Sequence, residues 1–81
     1  MEPAKKTYEI SYEVRRSGAI GTFEPAPRMR KEVPAGEAAV LAALEMVRAD
    51  LSRDGWETRF PAYVAEIMPS GTPRRIWAGQ R

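Results

Sequence analysis

Thr7-Tyr8-Glu9-Ile10-Ser11-Tyr12-Glu13-Val14-Arg15 alternates with a period of two. Tyr8, Ile10, Tyr12 and Val14 share one face, and Glu9, Ser11, Glu13 and Arg15 share the other. Successive side chains of a strand point to opposite sides, so the stretch predicts a half-buried β-strand with its polar face toward water. An apolar face made of aromatic and β-branched residues needs a cover.

Residues 38–53 supply that cover. They are rich in Ala, Leu, Glu, Arg and Met, all good helix formers. Val40, Leu44, Val47 and Leu51 recur at helical spacing with Leu41 beside them, which predicts one apolar stripe packed on a sheet. Gly36 is the expected N-cap, with Glu37 complementing the positive end of the helix dipole. Gly55, after Ser52-Arg53-Asp54, reads as the left-handed glycine that ends the helix, and Trp56 packs back on the last turn.

Three further stretches read as strands or connections. Ser17-Gly18-Ala19-Ile20-Gly21 breaks the first strand, and Pro25 and Pro27 keep the next stretch extended. Residues 28–33 predict an edge strand, with Met29, Lys31 and Val33 on one face and Arg28, Arg30 and Glu32 on the other. Residues 62–68, started by Pro61, predict a strand with apolar groups on both faces, suited to the middle of the sheet. Pro69-Ser70-Gly71-Thr72-Pro73 is a turn cluster, after which residues 74–78 are a candidate fourth strand pairing back on the third. The helix between strands two and three is a crossover that permits two parallel strands. The expected fold is therefore α+β: a small two-layer sandwich, β-β-α-β or β-β-α-β-β, with one helix on a three- to four-stranded sheet. The 81 residues make one domain, 1–81, with flexible ends at about 1–5 and 79–81.

Composition narrows the chemistry. The chain has no cysteine and no histidine, which removes disulfides, thiolate or imidazole metal ligands and the commonest general base near neutral pH. No metal or other cofactor is expected. None of the Asp and Glu residues forms a D-x-D or E-x-x-E set, and Ser11, Ser17, Ser52 and Ser70 have no histidine to activate them. These features argue against an enzyme. The formal net charge is only +2, milder than that of a dedicated nucleic-acid binder. No apolar run approaches the roughly 20 residues that span a bilayer, and the start lacks the apolar core of a secretory signal. No membrane partner is expected, and the cytoplasm is the expected location.

Two function classes remain. The preferred one is a non-enzymatic protein-binding module, an accessory subunit or inhibitor whose partner is another protein. Its candidate contacts are Trp77 with Arg74 and Arg75 at the tail, and Ile20 and Phe23 in the loop over residues 17–27, which is long for a hairpin. A homodimer through an edge strand is a further partner. The alternative is an RNA- or DNA-binding domain with a basic sheet face formed by Arg15, Arg16, Arg28, Arg30 and Lys31, interleaved with aromatic rings. A plainer reading stands beside both. Tyr8 and Tyr12 belong to the core, and Glu9 and Glu13 face the opposite way and pair with Arg28 and Arg30 across strands, with no ligand needed.

Overall fold

The alternation around Ile10 forms β1, Lys5–Arg16, in the computed structural model, which describes residues 4–77. Residues 1–3 and 78–81, most of the ends expected to be flexible, lie outside the described residues, as does the side chain of Trp77. Lys5 is already paired with Pro34.

β1 is followed by β2 (Glu24–Pro25), β3 (Met29–Pro34), α1 (Ala39–Arg53), β4 (Trp56–Ile67) and β5 (Pro73–Trp77). β2 and β3 both pair antiparallel with β1, opposite Glu13–Val14 and opposite residues 5–10, so they act as one interrupted edge strand. Pro25 and Pro27 have no N–H for a ladder. Between them Ala26 donates to the Tyr12 carbonyl at 2.9 Å and accepts the Ser11 hydroxyl at 2.6 Å, which holds the interruption against β1. The β-β-α-β-β order is thus realised, with the fourth strand present.

The sheet runs β2/β3-β1-β4-β5 and is antiparallel throughout. β3 and β4 point the same way, but β1 lies between them, so the crossover through α1 creates no parallel pairing. β4 starts at Trp56, six residues before the expected strand, and Pro61 lies inside it. Proline fits there because the ladder is broken. The register shifts between Ser11 and Tyr12 and again between Tyr12 and Val14, leaving β4 with extra residues at both places. Such bulges bend a strand and raise its twist, and the sheet curls accordingly.

One face of the sheet carries α1. Tyr8, Ile10, Tyr12, Val14, Val33 and Val64 pack with Ala39, Ala43, Val47 and Leu51 in a single core. Ile10, Val47 and Val64 are its largest fully buried side chains, each worth about 1.5–3 kcal/mol of burial. The helix stripe is therefore rotated from the expected one. Ala39 and Ala43 occupy its centre, Val40 and Leu44 flank it, and Leu41 is 61% exposed. Ala39 and Ala43 sit among the larger sheet residues of the core, while Val47 and Leu51 keep their expected buried positions.

The helix start also differs. Ala38 is the N-cap and makes no side-chain cap bond, and the first turn holds no acidic residue. Gly36 instead opens a tight turn in which its carbonyl accepts the Ala39 N–H at 3.2 Å. At the other end Gly55 has φ +88° and donates to the Ser52 carbonyl at 3.0 Å, as a left-handed helix-ending glycine does.

Candidate functional site

The face of the sheet opposite α1 is covered by side chains alone. Alternation sends neighbouring rows to opposite sides. Lys31, Tyr8, Glu66 and Arg74 form a row toward the helix, while Arg30, Glu9, Ala65 and Arg75 form the next row on the helix-free face. Ala65 and Ser11 on this second face are nonetheless buried, and Tyr63 is 9% exposed. Arginine stems and aromatic rings provide the shielding, with the charged heads still at water.

Glu9 is the hub of the face. Its side chain is 14% exposed, and one carboxylate oxygen accepts from Arg30 Nε at 3.2 Å. The other oxygen accepts the Tyr63 hydroxyl at 3.4 Å and lies 3.9 Å from Arg28 Nη1. The guanidinium carbons of Arg28 and Arg75 lie 3.8 and 5.0 Å from the centroid of the Tyr63 ring. Such cation–π contacts are each worth about 0.5–1 kcal/mol at exposed sites.

A second cluster sits at the bulge. Arg59 and Phe60 both fall opposite Glu13 there. Arg59 donates to the Glu13 carboxylate and lies 4.7 Å from the Phe23 centroid and 4.7 Å from that of Phe60. Arg15 covers Phe23 at 4.3 Å, bonds Glu57 at 3.0 Å and donates to the Gly21 carbonyl at 2.9 Å. Arg15, Arg28, Arg30 and Arg59 each have a carboxylate within ion-pair distance. Among the described residues Arg75 has none.

The residues expected to form a basic face are thereby divided. Arg15, Arg28 and Arg30 share the helix-free face. Lys31 points the other way and pairs with Asp50 on α1. Arg16 also leaves the set, because it stacks on Trp56 at 4.1 Å and bonds the Asp54 carbonyl at 2.8 Å. Of the residues assigned to a protein partner, Arg75 and Phe23 lie on the helix-free face. Arg74 belongs to the opposite row, where it meets Glu66 at 3.0 Å. Ile20 is fully exposed and lines a separate groove of about 400 Å³ with Leu51 and Trp56. Trp77 is paired with Val64 by register, and its side chain lies outside the described residues. Arg59 was hidden from sequence reading, since only the bulge places it beside Phe23 and Phe60.

Titration shifts lie mostly on the helix side. The Glu66 carboxyl is held below its ordinary value by hydrogen bonds from Lys6 and Arg74, and Lys6 is raised by the same contact. Lys31 and Arg53 lower Asp50, against an opposing effect of desolvation. Burial pushes the Tyr12 hydroxyl up. Among the described residues no helix is long and apolar enough to cross a membrane, and no group of acidic side chains is placed to hold a metal ion. No protein-family model, curated protein or solved structure matches this chain.

Proposed function

We propose that this chain is a non-enzymatic protein-binding module, an accessory subunit or small inhibitor, which engages another protein through the helix-free face of its sheet. The observation that carries this reading is the seating of Arg15, Arg28 and Arg59 on aromatic rings with Glu57, Glu9 and Glu13 between them. Arginines fixed in this way lose little freedom on binding, and Arg and Tyr are the residues that dominate protein interfaces. The interposed carboxylates offset the field that a polyphosphate backbone needs. This disfavours the nucleic-acid reading, in which Arg15, Arg28 and Arg30 contact phosphates. The proposed setting is the cytoplasm, in keeping with a chain that has no cysteine.

Pro25 and Pro27 interrupt one sheet edge and a bulge at Ile76 interrupts the other, which argues against edge pairing with a second copy. Recognition through a face is the route these edges leave open.

The test compares chemical cross-linking and affinity capture by the parent, by Arg28→Glu/Arg59→Glu, and by Arg48→Glu on the outer side of α1. Partner recovery is expected to fall at least tenfold for the first variant and to stay unchanged for the second. Fluorescence anisotropy with labelled RNA and DNA at two salt concentrations supplies the rival outcome. Tight binding that weakens steeply with salt and vanishes in Arg28→Glu/Arg59→Glu overturns the proposal.

A further inference from the structure

Tyr63 is flanked by two arginines from different strands. Arg28 reaches it from just before β3, and Arg75 reaches it from β5 on the other side of β4. The ring is 9% exposed, so it is a spacer rather than a stacking platform. Its two arginines are exposed, and the guanidinium of Arg28 is tied only loosely to Glu9, at 3.9 Å. Arg75 has no acidic partner among the described residues. Ala65, the small residue beside Arg75 in the register, adds no bulk of its own between Arg75 and Glu9.

We propose that Arg28 and Arg75, held against the Tyr63 ring, form a clamp for a carboxylate presented by an acidic segment of a protein partner. The proposal rests on the protein-binding reading above and names the chemistry of the partner. A guanidinium offers parallel N–H donors that match the two oxygens of a carboxylate, and a ring beneath it fixes the direction in which those donors point. The ligand favoured is a carboxylate rather than a chain of phosphates. A flexible acidic segment can place one carboxylate at the clamp and hold its others clear of Glu13 and Glu57, which lie among the arginines of this face.

The experiment is an NMR titration of the full chain with acetate, a capped hexaglutamate peptide, a capped hexaglutamine peptide and a six-nucleotide oligothymidylate. The readouts are the Nε–Hε signals of Arg28 and Arg75 and the ring protons of Tyr63. Hexaglutamate is expected to shift all three saturably, acetate to shift them weakly in the same direction, and hexaglutamine to leave them in place. Arg75→Ala should raise the apparent Kd for hexaglutamate at least tenfold. Arg75→Lys, which keeps the charge and loses the fork, should raise it severalfold. Equal shifts with the glutamine peptide, or unchanged affinity in Arg75→Ala, overturn the clamp. Tighter, saturable binding of the oligothymidylate also overturns it and assigns the face to nucleic acid. If partner capture depends on Arg59 and Arg28 while Arg75→Ala binds hexaglutamate as the parent does, the clamp fails and the protein-binding face stands. Capture that ignores all three arginines removes both.

Discussion

The Arg16 guanidinium lies 4.1 Å from the centroid of the Trp56 ring while its Nη1 donates to the Asp54 carbonyl at 2.8 Å. One side chain from the end of β1 thus ties down the C-terminus of α1 and the first residue of β4. Ser17 reinforces the tie by donating its N–H to the Gly55 carbonyl at 3.1 Å. The chain reverses there on Gly55, at φ +88°, and a Cβ at that position meets Arg16 Nη1 at 3.2 Å.

Gly55→Ala is expected to lower unfolding stability by about 1–2 kcal/mol, the cost of a left-handed conformation for a residue with a Cβ. The loss should shrink in an Arg16→Ala background, where the added methyl no longer meets Nη1. Urea denaturation of the two single variants and the double variant measures both. Equal losses in the two backgrounds rule out the close approach as a contributor.

Ile10 is wholly buried at the centre of β1. Ile10→Ala should cost about 2–5 kcal/mol, since the lost transfer energy is joined by a cavity that the packed sheet and helix fill only partly. Leu41→Ala, at an exposed helix position, should change stability by no more than about 0.5 kcal/mol. A comparable loss at Leu41 would mean that the helix buries a different face.

Acid should weaken the fold through Glu66 and Asp50, both lowered by basic partners. A carboxyl that titrates lower when folded contributes its stability in full above the ordinary carboxylate range. That contribution is lost as pH falls through the lowered folded value, because the unfolded chain takes up protons first. Denaturant midpoints measured from pH 7 down to pH 2 should show this loss, and Glu66→Gln/Asp50→Asn should flatten it. An equally steep acid limb in the double variant would place the effect elsewhere.

Pro25→Thr/Pro27→Thr restores two N–H groups to the interrupted edge beside β1. The variant is expected to self-associate with rising concentration, because a longer continuous edge is a template for another strand. Sedimentation velocity compares it with the parent at matched concentrations. Identical profiles would show that the prolines do not protect this edge.

The alternation over residues 7–15 and the good helix formers of residues 38–53 made the two layers legible, because each pattern follows from one local period. The edge position of Met29, Lys31 and Val33 and the helix-ending role of Gly55 were legible for the same reason. The run from Trp56 to Pro61 was not. A strand usually rejects an internal proline, and the bulges that admit Pro61 depend on β1, far away in sequence. Arg59 was hidden with it. The arginine clusters were legible as groups, yet their division between faces turned on register. A shift of one residue sends Arg75 to the helix-free face and Arg74 toward Glu66. The small helix residues Ala39 and Ala43 were passed over because hydrophobic patterning favours large side chains, whereas the core takes both of them in.

The pairing of β1 with β4 also orders events during synthesis. Lys6 and Glu66, sixty residues apart, meet across that ladder, so β1 finds its central neighbour only after the helix between them has been translated. Until then β1 has only the β2/β3 edge strand beside it and an arriving helix over its apolar side. Loop closure over such a distance is slow compared with helix formation. During that interval Tyr8, Ile10, Tyr12 and Val14 lack their neighbour on the β4 side, and Glu9 and Glu13 put charge on the opposite face of the same strand.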